Sequence, residues 1–150
     1  MRVALYQPDI PQNAGTILRL CACLDVAVDV IEPAGFPASD RAFRRAGLDY
    51  LDRVDLKRHA SFAAFEAWRR INPAARLILL TTKAETSYIG FAFAGDDVLL
   101  LGRESAGVPA SVHKAADARL RIPMRAGLRS LNVAVAAAMV LGEALRQTRT

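Results

Sequence analysis

The sequence has little that could tie the chain together covalently or hold a metal. Its 150 residues include two cysteines and two histidines. Cys21 and Cys23 are two positions apart in a predicted helix and point to different faces, a spacing that suits neither a local disulfide nor a metal clip. We expect both to pack in the core or at an interface. His59 and His113 are isolated in stretches that read as surface, so metal catalysis is disfavoured.

Long hydrophobic runs are also absent. The longest, Val133–Leu141, spans about nine residues, whereas a membrane helix needs about 20. The N-terminus opens directly on the apolar run Val3–Tyr6, without the regions of a signal peptide. The sequence therefore predicts a cytoplasmic protein with no membrane partner.

The glycine motifs of common nucleotide-binding enzymes are missing as well. The sequence contains neither G-x-G-x-x-G nor G-K-[ST], which disfavours enzymes that use nicotinamide cofactors or nucleoside triphosphates. No serine–histidine–acid set can be assembled from its loops.

What the chain has is an apolar core and a basic surface. Hydrophobic residues make up 53% and charged residues 23%, which is typical of a folded globular protein. The length suits one domain, and we assign residues 1–150 to it. The net charge of +5 makes an anionic partner plausible without identifying it.

Short apolar segments alternate with longer amphipathic ones. This alternation predicts an α/β fold, with a parallel sheet covered by helices on both faces. The expected strands are Val3–Tyr6, Ala27–Ile31, Leu77–Leu80, Val98–Leu101 and Leu120–Ile122, with a weaker one near Val54–Leu56. The expected helices are Ala14–Leu24 capped by Asn13, Asp40–Ala46 capped by Ser39, Phe62–Ile71 capped by Ser61, and a last helix capped by Ser130 or Asn132.

The last helix and the basic loop before it form the most informative segment. A surface helix shows polar residues at a period of 3.6, yet none occurs between Val133 and Leu141. We expect this helix to be buried on most sides. The loop from Pro123 to Asn132 is then held against the core, where it is well placed to bind a ligand.

Polar loops follow several of the predicted strands. Ligands of open α/β sheets bind outside the carboxyl ends of the strands, so these loops are candidates for one site. They are Gln7–Gly15, Thr81–Lys83, Gly102–Gly107 and Pro123–Asn132.

Single residues in and near these loops allow two interpretations each. Gly102 either forms a tight turn or lets the backbone approach a ligand closely. Arg19 and Glu104 are either ordinary surface charges or members of a site. Ser130 and Asn132 either cap the last helix or also contact a ligand. Their placement on strand-end loops favours a common site.

Three segments resemble, in order and spacing, the motifs of the SPOUT RNA ribose 2′-O-methyltransferases. They are Asn13-Ala-Gly-Thr-Ile-Leu-Arg19, Leu99-Leu-Leu-Gly-Arg-Glu-Ser-Ala-Gly107, and Arg121-Ile-Pro-Met with Ser130-Leu-Asn132. The resemblance covers essentially the whole chain. With no appended RNA-binding domain, the chain looks most like the minimal branch, which methylates the wobble nucleotide, cytidine or uridine 34, of leucine tRNAs.

The resemblance implies a C-terminal deep trefoil knot, a homodimer, tRNA as the substrate and S-adenosyl-L-methionine as the methyl donor, with no metal. It places Leu80, Gly102, Ile122 and Ser130 around the cofactor. It places Arg19, Glu104, Ser130 and Asn132 around the reacting centre. The chain departs from the family pattern at Thr16, where the family usually has Asn, and at Ala134 and Gly142, where it often has Ser and Tyr. The dimer or RNA contact that this Tyr would make is absent.

Methyl transfer from a sulfonium is an in-line displacement in which positioning carries much of the catalysis. The resemblance implies that Arg19 removes the proton of the ribose 2′-hydroxyl. A free guanidinium has a pKa above ~12 and is a poor base at neutral pH. Arg19 would therefore stabilise the developing alkoxide, or pass the proton to a phosphate or to Glu104. Further cations could hold the RNA backbone or simply be solvated: Arg41, Arg44, Arg45, Lys57, Arg58, Arg69 and Arg70.

Two other functions stay open. One is a related methyltransferase that acts on ribosomal RNA or on another tRNA position. The other is a flavodoxin-like module that binds a small molecule without catalysis. The lack of a phosphate-binding glycine loop counts against the module, and the set of Arg19, Glu104 and Asn132 favours methyl transfer.

Overall fold

The computed structural model describes residues 1–149, which form one six-stranded sheet with helices on both faces. The strands are β1 Arg2–Tyr6, β2 Ala27–Ile31, β3 Leu56–His59, β4 Leu77–Leu80, β5 Val98–Leu101 and β6 Ala118–Leu120. The helices are α1 Pro11–Cys23, α2 Arg41–Gly47, α3 Phe62–Arg70, α4 Ala110–Ala115 and α5 Val133–Thr148, with a 3-10 turn at Leu48–Asp52. The strand order is β3-β2-β1-β5-β4-β6, and every neighbouring pair is parallel. The predicted α/β class and parallel sheet are confirmed.

The central strands are apolar because both of their faces are covered. Side chains alternate between faces along a strand. Leu99 and Leu101 of β5 pack with residues of α1 and α5, while Val98 and Leu100 pack on the opposite face against residues of α3 and α4. No helix within the described residues is long and apolar enough to cross a membrane.

Two of the predicted helix caps are wrong. Helix α1 begins at Pro11, ahead of Asn13, and Ile10 at its N-cap position makes no side-chain cap. Proline suits this first position because its missing N–H would have no partner there. Asp40 caps α2 in place of Ser39, since its carboxylate lies nearer the first turn and accepts two backbone N–H groups, at 2.8 and 3.0 Å. The freed side chain of Asn13 has another role, described below.

The caps of α3 and α5 are as predicted. Ser61 accepts the backbone N–H of Ala64. Asn132 caps α5, and its Oδ1 lies 2.8 Å from the N–H of Ala134 and 3.3 Å from that of Val135. This cap ties the basic loop to a helix whose buried side packs against the sheet.

The outer strands differ from the prediction by about two residues. Strand β3 begins at Leu56, so the weak strand lies later in the chain than expected. Strand β6 ends at Leu120 rather than Ile122. It stops there because Arg121 turns both backbone groups to the β4–β5 connection, where its N–H donates to Thr86 (2.9 Å) and its carbonyl accepts from Tyr88 (3.0 Å).

His59 is buried, so its predicted surface position is wrong. Its side chain is 4% exposed, and Nε2 lies 2.7 Å from Oδ1 of the fully buried Asp29. Phe65 and Trp68 of α3 cover the ring. The error arose because the strand that carries His59 reads as a polar stretch, while its burial comes from a helix later in the chain.

The two cysteines lie in different environments. Cys21 is fully buried in α1, and burial raises the pKa of its thiol to about 12, which makes it an inert core group. Cys23 is exposed. The core position predicted for Cys21 is confirmed.

Only one side of helix α5 is buried within a single chain, whereas the sequence predicted that the helix is buried on most sides. Ala137, Val140 and Leu141 are buried. On the other side, Val135 is 50% and Met139 40% exposed. These positions, with the exposed Ala138 and Gly142, form an apolar stripe along the helix.

Candidate active site

A cavity of about 440 Å³ opens at the carboxyl edge of the sheet. Small-molecule sites have volumes of about 300–1,000 Å³, so the cavity is large enough for a cofactor. The strand-end loops after β4, β5 and β6 meet here, together with the starts of α1 and α5. Six of the seven predicted site residues line it: Leu80, Gly102, Glu104, Ile122, Ser130 and Asn132.

The floor of the cavity is apolar and its rim is polar. Leu80, Leu101 and Leu120 come from the ends of three neighbouring strands and form part of the floor. These side chains lie at the boundary between the core and the loops because all the strands point the same way. An apolar floor with a few polar groups above it is the usual form of a cofactor site.

Three polar side chains, from α1, the β5–α4 loop and the N-cap of α5, form one hydrogen-bonded chain. Asn132 donates from Nδ2 to Oδ1 of Asn13 over 2.9 Å. Asn13 in turn donates from Nδ2 to Oε1 of Glu104, at 3.4 Å. Because Asn132 also caps α5, this network fixes the position of Glu104 relative to the last helix. The sequence interpretation assigned Asn13 to a cap and missed its place in the site, although Asn13 opens the first motif.

Asp9 clamps the loop that carries Glu104. The backbone N–H of Asp9 donates to Oε2 of Glu104 at 3.2 Å, and the N–H of Glu104 donates back to Oδ1 of Asp9 at 3.1 Å. The hydroxyl of Ser105 also donates to Asp9. Sequence reasoning did not select Asp9; its place in the loop directly after β1 was the one available signal.

The two carboxyls titrate at separated pH values because they share this clamp. The hydrogen bond from the Glu104 carboxyl, with bonds from Ser105 and the backbone, lowers the pKa of Asp9 to about 2. Burial raises the pKa of Glu104, and the hydrogen bond with Asp9 raises it further. Glu104 is thus the carboxyl of this pair that holds its proton at the higher pH.

The glycines of the β5–α4 loop form a tight turn at the cavity wall. Arg103 and Gly107 exchange two backbone hydrogen bonds, at 3.0 and 2.8 Å. Gly107 has a φ of +63°, which favours glycine. A Cβ on Gly102 would lie 2.8 Å from the carbonyl carbon of Gly107. The close approach of Gly107 therefore accounts for a glycine at position 102 without any ligand. Both glycines also line the cavity.

Arg19 is the predicted site residue that does not line the cavity of its own chain. It is exposed on α1, and its guanidinium lies 5.3 Å from the ring centroid of Tyr50. Its role in the reaction stays a prediction. Among residues 1–149 no group of three or more metal-ligating side chains occurs.

Comparison with known proteins identifies the family. Residues 1–142 match the model of the SpoU rRNA Methylase family. The chain belongs to this family. The resemblance drawn from the three motifs is confirmed.

Two curated relatives of this SpoU-family chain carry the same name. A tRNA (cytidine(34)-2′-O)-methyltransferase of Beijerinckia indica is 69% identical, over 97% of this chain and 90% of that protein. The protein of the same name from Escherichia coli strain K12 is 40% identical, over 98% of this chain and 93% of that protein.

Solved structures of the family share the fold. One, described as structural insights into the 2-OH methylation of C/U34 on tRNA, has a TM-score of 0.91 at 42% identity, over 97% of this chain and 94% of that chain. The SpoU methyltransferase AviRb from Streptomyces viridochromogenes, solved with AdoMet, has a TM-score of 0.90 at 27% identity, over 98% of this chain and 60% of that chain.

Proposed function

We propose that this protein is a tRNA (cytidine(34)-2′-O)-methyltransferase, which transfers a methyl group from S-adenosyl-L-methionine to the ribose 2′-hydroxyl of the wobble nucleotide. The observation that carries the proposal is that residues of all three motifs meet at one cavity, with Asn13, Glu104 and Asn132 joined by hydrogen bonds. The high identity to enzymes of this name over nearly their whole length supports the substrate.

The cavity fits the proposed cofactor. Its apolar floor suits the adenine ring, and its polar rim suits the ribose and amino-acid groups. Leu80, Gly102, Ile122 and Ser130 would hold the cofactor, since all four line the cavity at strand-end or helix-start loops. When bound, S-adenosyl-L-methionine supplies an electrophilic methyl group.

The protein's own residues position the nucleotide and handle the proton. Asn13 and Asn132 hold Glu104 at the cavity rim. Arg19 stabilises the developing alkoxide or passes the proton to a phosphate or to Glu104. Because Arg19 lies outside the cavity of its own chain, a homodimer that brings α1 to the partner's cavity would complete the site.

Several finer features belong to the same proposal. The exposed apolar stripe of α5, with Val135 and Met139 at its centre, supports a homodimer interface. The backbone bonds between Arg121 and the β4–β5 connection, together with family membership, support a trefoil knot in the C-terminal segment. The proposal also includes leucine tRNAs as the substrates and a cytoplasmic location for the protein.

A ribosomal RNA substrate is the alternative within the family. An AdoMet-bound rRNA methyltransferase from Sinorhizobium meliloti has a TM-score of 0.88 at 27% identity, but the match covers 57% of that longer chain. The tRNA enzymes match over 90% or more of their length, which favours tRNA.

Methyl transfer to bulk RNA tests the proposal. The protein is incubated with labelled S-adenosyl-L-methionine in two reactions, one with bulk tRNA and one with ribosomal RNA. The RNA from each reaction is then digested to nucleosides. We expect 2′-O-methylated nucleoside from tRNA alone. Label in ribosomal RNA but not tRNA would support the alternative, and binding of the cofactor without transfer to either would support a binding module.

A further inference from the structure

The segment 118–142 carries positive charge with no acidic residue to balance it. It contains four arginines and no aspartate or glutamate. One of them, Arg119, is held by protein groups: its Nε donates to the carbonyl of His113 at 2.8 Å and its Nη2 to that of Lys114 at 3.2 Å. The other three lie beyond β6, at the edge of the sheet where the cavity opens.

These three arginines, Arg121, Arg125 and Arg129, are exposed. Within the described chain their guanidinium groups have neither a hydrogen-bond nor an ion-pair partner. Several arginines elsewhere are paired with carboxylates: Arg76, for example, lies 2.7 Å from Asp97. Each guanidinium presents five N–H donors and no acceptor, so this loop offers many unused donors for an anion.

The loop backbone holds these cations beside the cavity. Arg121 lines the cavity, and both of its backbone groups bond to the β4–β5 connection. A turn with Gly127 at φ +86° brings the N–H of Leu128 to within 3.3 Å of the carbonyl of Arg125. Arg129 directly precedes Ser130, which also lines the cavity.

We propose that Arg121, Arg125 and Arg129, the rim arginines, bind the phosphodiester groups of the RNA on either side of the nucleotide that enters the cavity. The inference rests on the proposed function. A guanidinium binds a phosphate in a bidentate manner, and several phosphates follow one another along an RNA strand. The single carboxylate of the cofactor would engage one of these cations at most.

Arg70 provides a matched control. It is an exposed arginine without an ion pair in the described residues. It lies at the end of α3, and the chain must return from there to the amino edge of the sheet to begin β4. It is therefore at the edge opposite the cavity, although the sequence alone made it a candidate for RNA binding.

Salt-dependent tRNA binding tests the proposal. The single variants Arg121→Gln, Arg125→Gln and Arg129→Gln, their triple combination and Arg70→Gln are titrated with tRNA at several salt concentrations. Each phosphate contact contributes about 0.7–0.9 to the slope of log K against log salt. We expect the triple variant to lose roughly 2 from this slope and to raise KM far more than it lowers kcat, while Arg70→Gln keeps the wild-type slope.

Three results would overturn the proposal. A triple variant with wild-type slope and affinity shows that these cations do not contact RNA, provided that its melting temperature shows a folded protein. An equal loss of salt slope in Arg70→Gln shows that the slope reports the overall charge of the protein and not contacts of the rim arginines. Weaker S-adenosyl-L-methionine binding in the triple variant, with an unchanged tRNA slope, assigns the cations to the cofactor carboxylate. The wild-type methylation assay is independent of all three, so failure of the proposed function is recognised separately.

Discussion

The Gly102→Ala substitution should disrupt the turn that forms one wall of the cavity. The added Cβ would lie 2.8 Å from the carbonyl carbon of Gly107, 2.9 Å from its Cα and 3.2 Å from its oxygen. Carbon atoms pack best at about 3.5–4.0 Å. All three neighbours are backbone atoms, and Gly107 cannot retreat without weakening its two bonds with Arg103.

The expected cost follows from the usual penalty for overpacking. Such insertions destabilise by about 1–3 kcal/mol, and 1 kcal/mol lowers the melting temperature of a chain of this size by about 2–4 °C. Gly102→Ala should therefore melt roughly 2–12 °C below the wild type. S-adenosyl-L-methionine should also bind more weakly, since Gly102 and Gly107 both line the cavity.

Calorimetry and cofactor titration on two glycine variants decide the matter. At Gly95 an added Cβ meets nothing within 4 Å, and the backbone there is not left-handed. Gly95→Ala should melt at or slightly above the wild-type temperature, because alanine restricts the unfolded chain. If Gly102→Ala behaves like Gly95→Ala in both assays, the argument from close contact is refuted.

Three further predictions address the acid pair, the arginine and the subunit interface. Because the pKa of Glu104 is raised in the folded state, ionisation of Glu104 destabilises the fold as the pH rises from about 4.5 through the folded pKa. Over this pH range the melting temperature of Glu104→Gln should therefore rise relative to that of the wild type. A difference in melting temperature that does not change with pH would contradict this prediction. Arg19→Ala should lower kcat by about 10²-fold or more with tRNA binding largely intact, whereas a loss confined to KM in steady-state kinetics would reject a role in the chemistry. Met139→Glu places a charge on the apolar stripe of α5, so light scattering should move from twice the 16.2 kDa chain mass towards one chain; an unchanged dimer would exclude this face from the interface.

The local sequence predicted the elements of this fold better than their ends. Apolar runs such as Val98–Leu101 specify buried parallel strands because burial on both faces removes the alternation of polar residues. The end of β6 depends on bonds between Arg121 and a connection more than thirty residues earlier, which no local pattern contains. The burial of His59 likewise depends on α3.

The sequence predicted which strand-end loops meet at the candidate site, but not the hydrogen bonds that Asp9 and Asn13 make there with Glu104. The loops around Leu80, Gly102 and Ile122 meet because parallel strands end at one edge of the sheet. The clamp between Asp9 and Glu104 joins residues 95 positions apart. Its partners depend on the order of strands in the sheet, which the sequence pattern left undetermined.

Methylation of a leucine tRNA with a single changed atom at position 34 tests the central claim most directly. Two otherwise identical tRNAs carry cytidine or 2′-deoxycytidine at this position, and transfer from labelled S-adenosyl-L-methionine is measured for each. The proposed function predicts methylation of the cytidine tRNA and none of the deoxy tRNA, which lacks the accepting hydroxyl. Equal labelling of the two tRNAs would show that the methyl group goes elsewhere and would contradict the assignment.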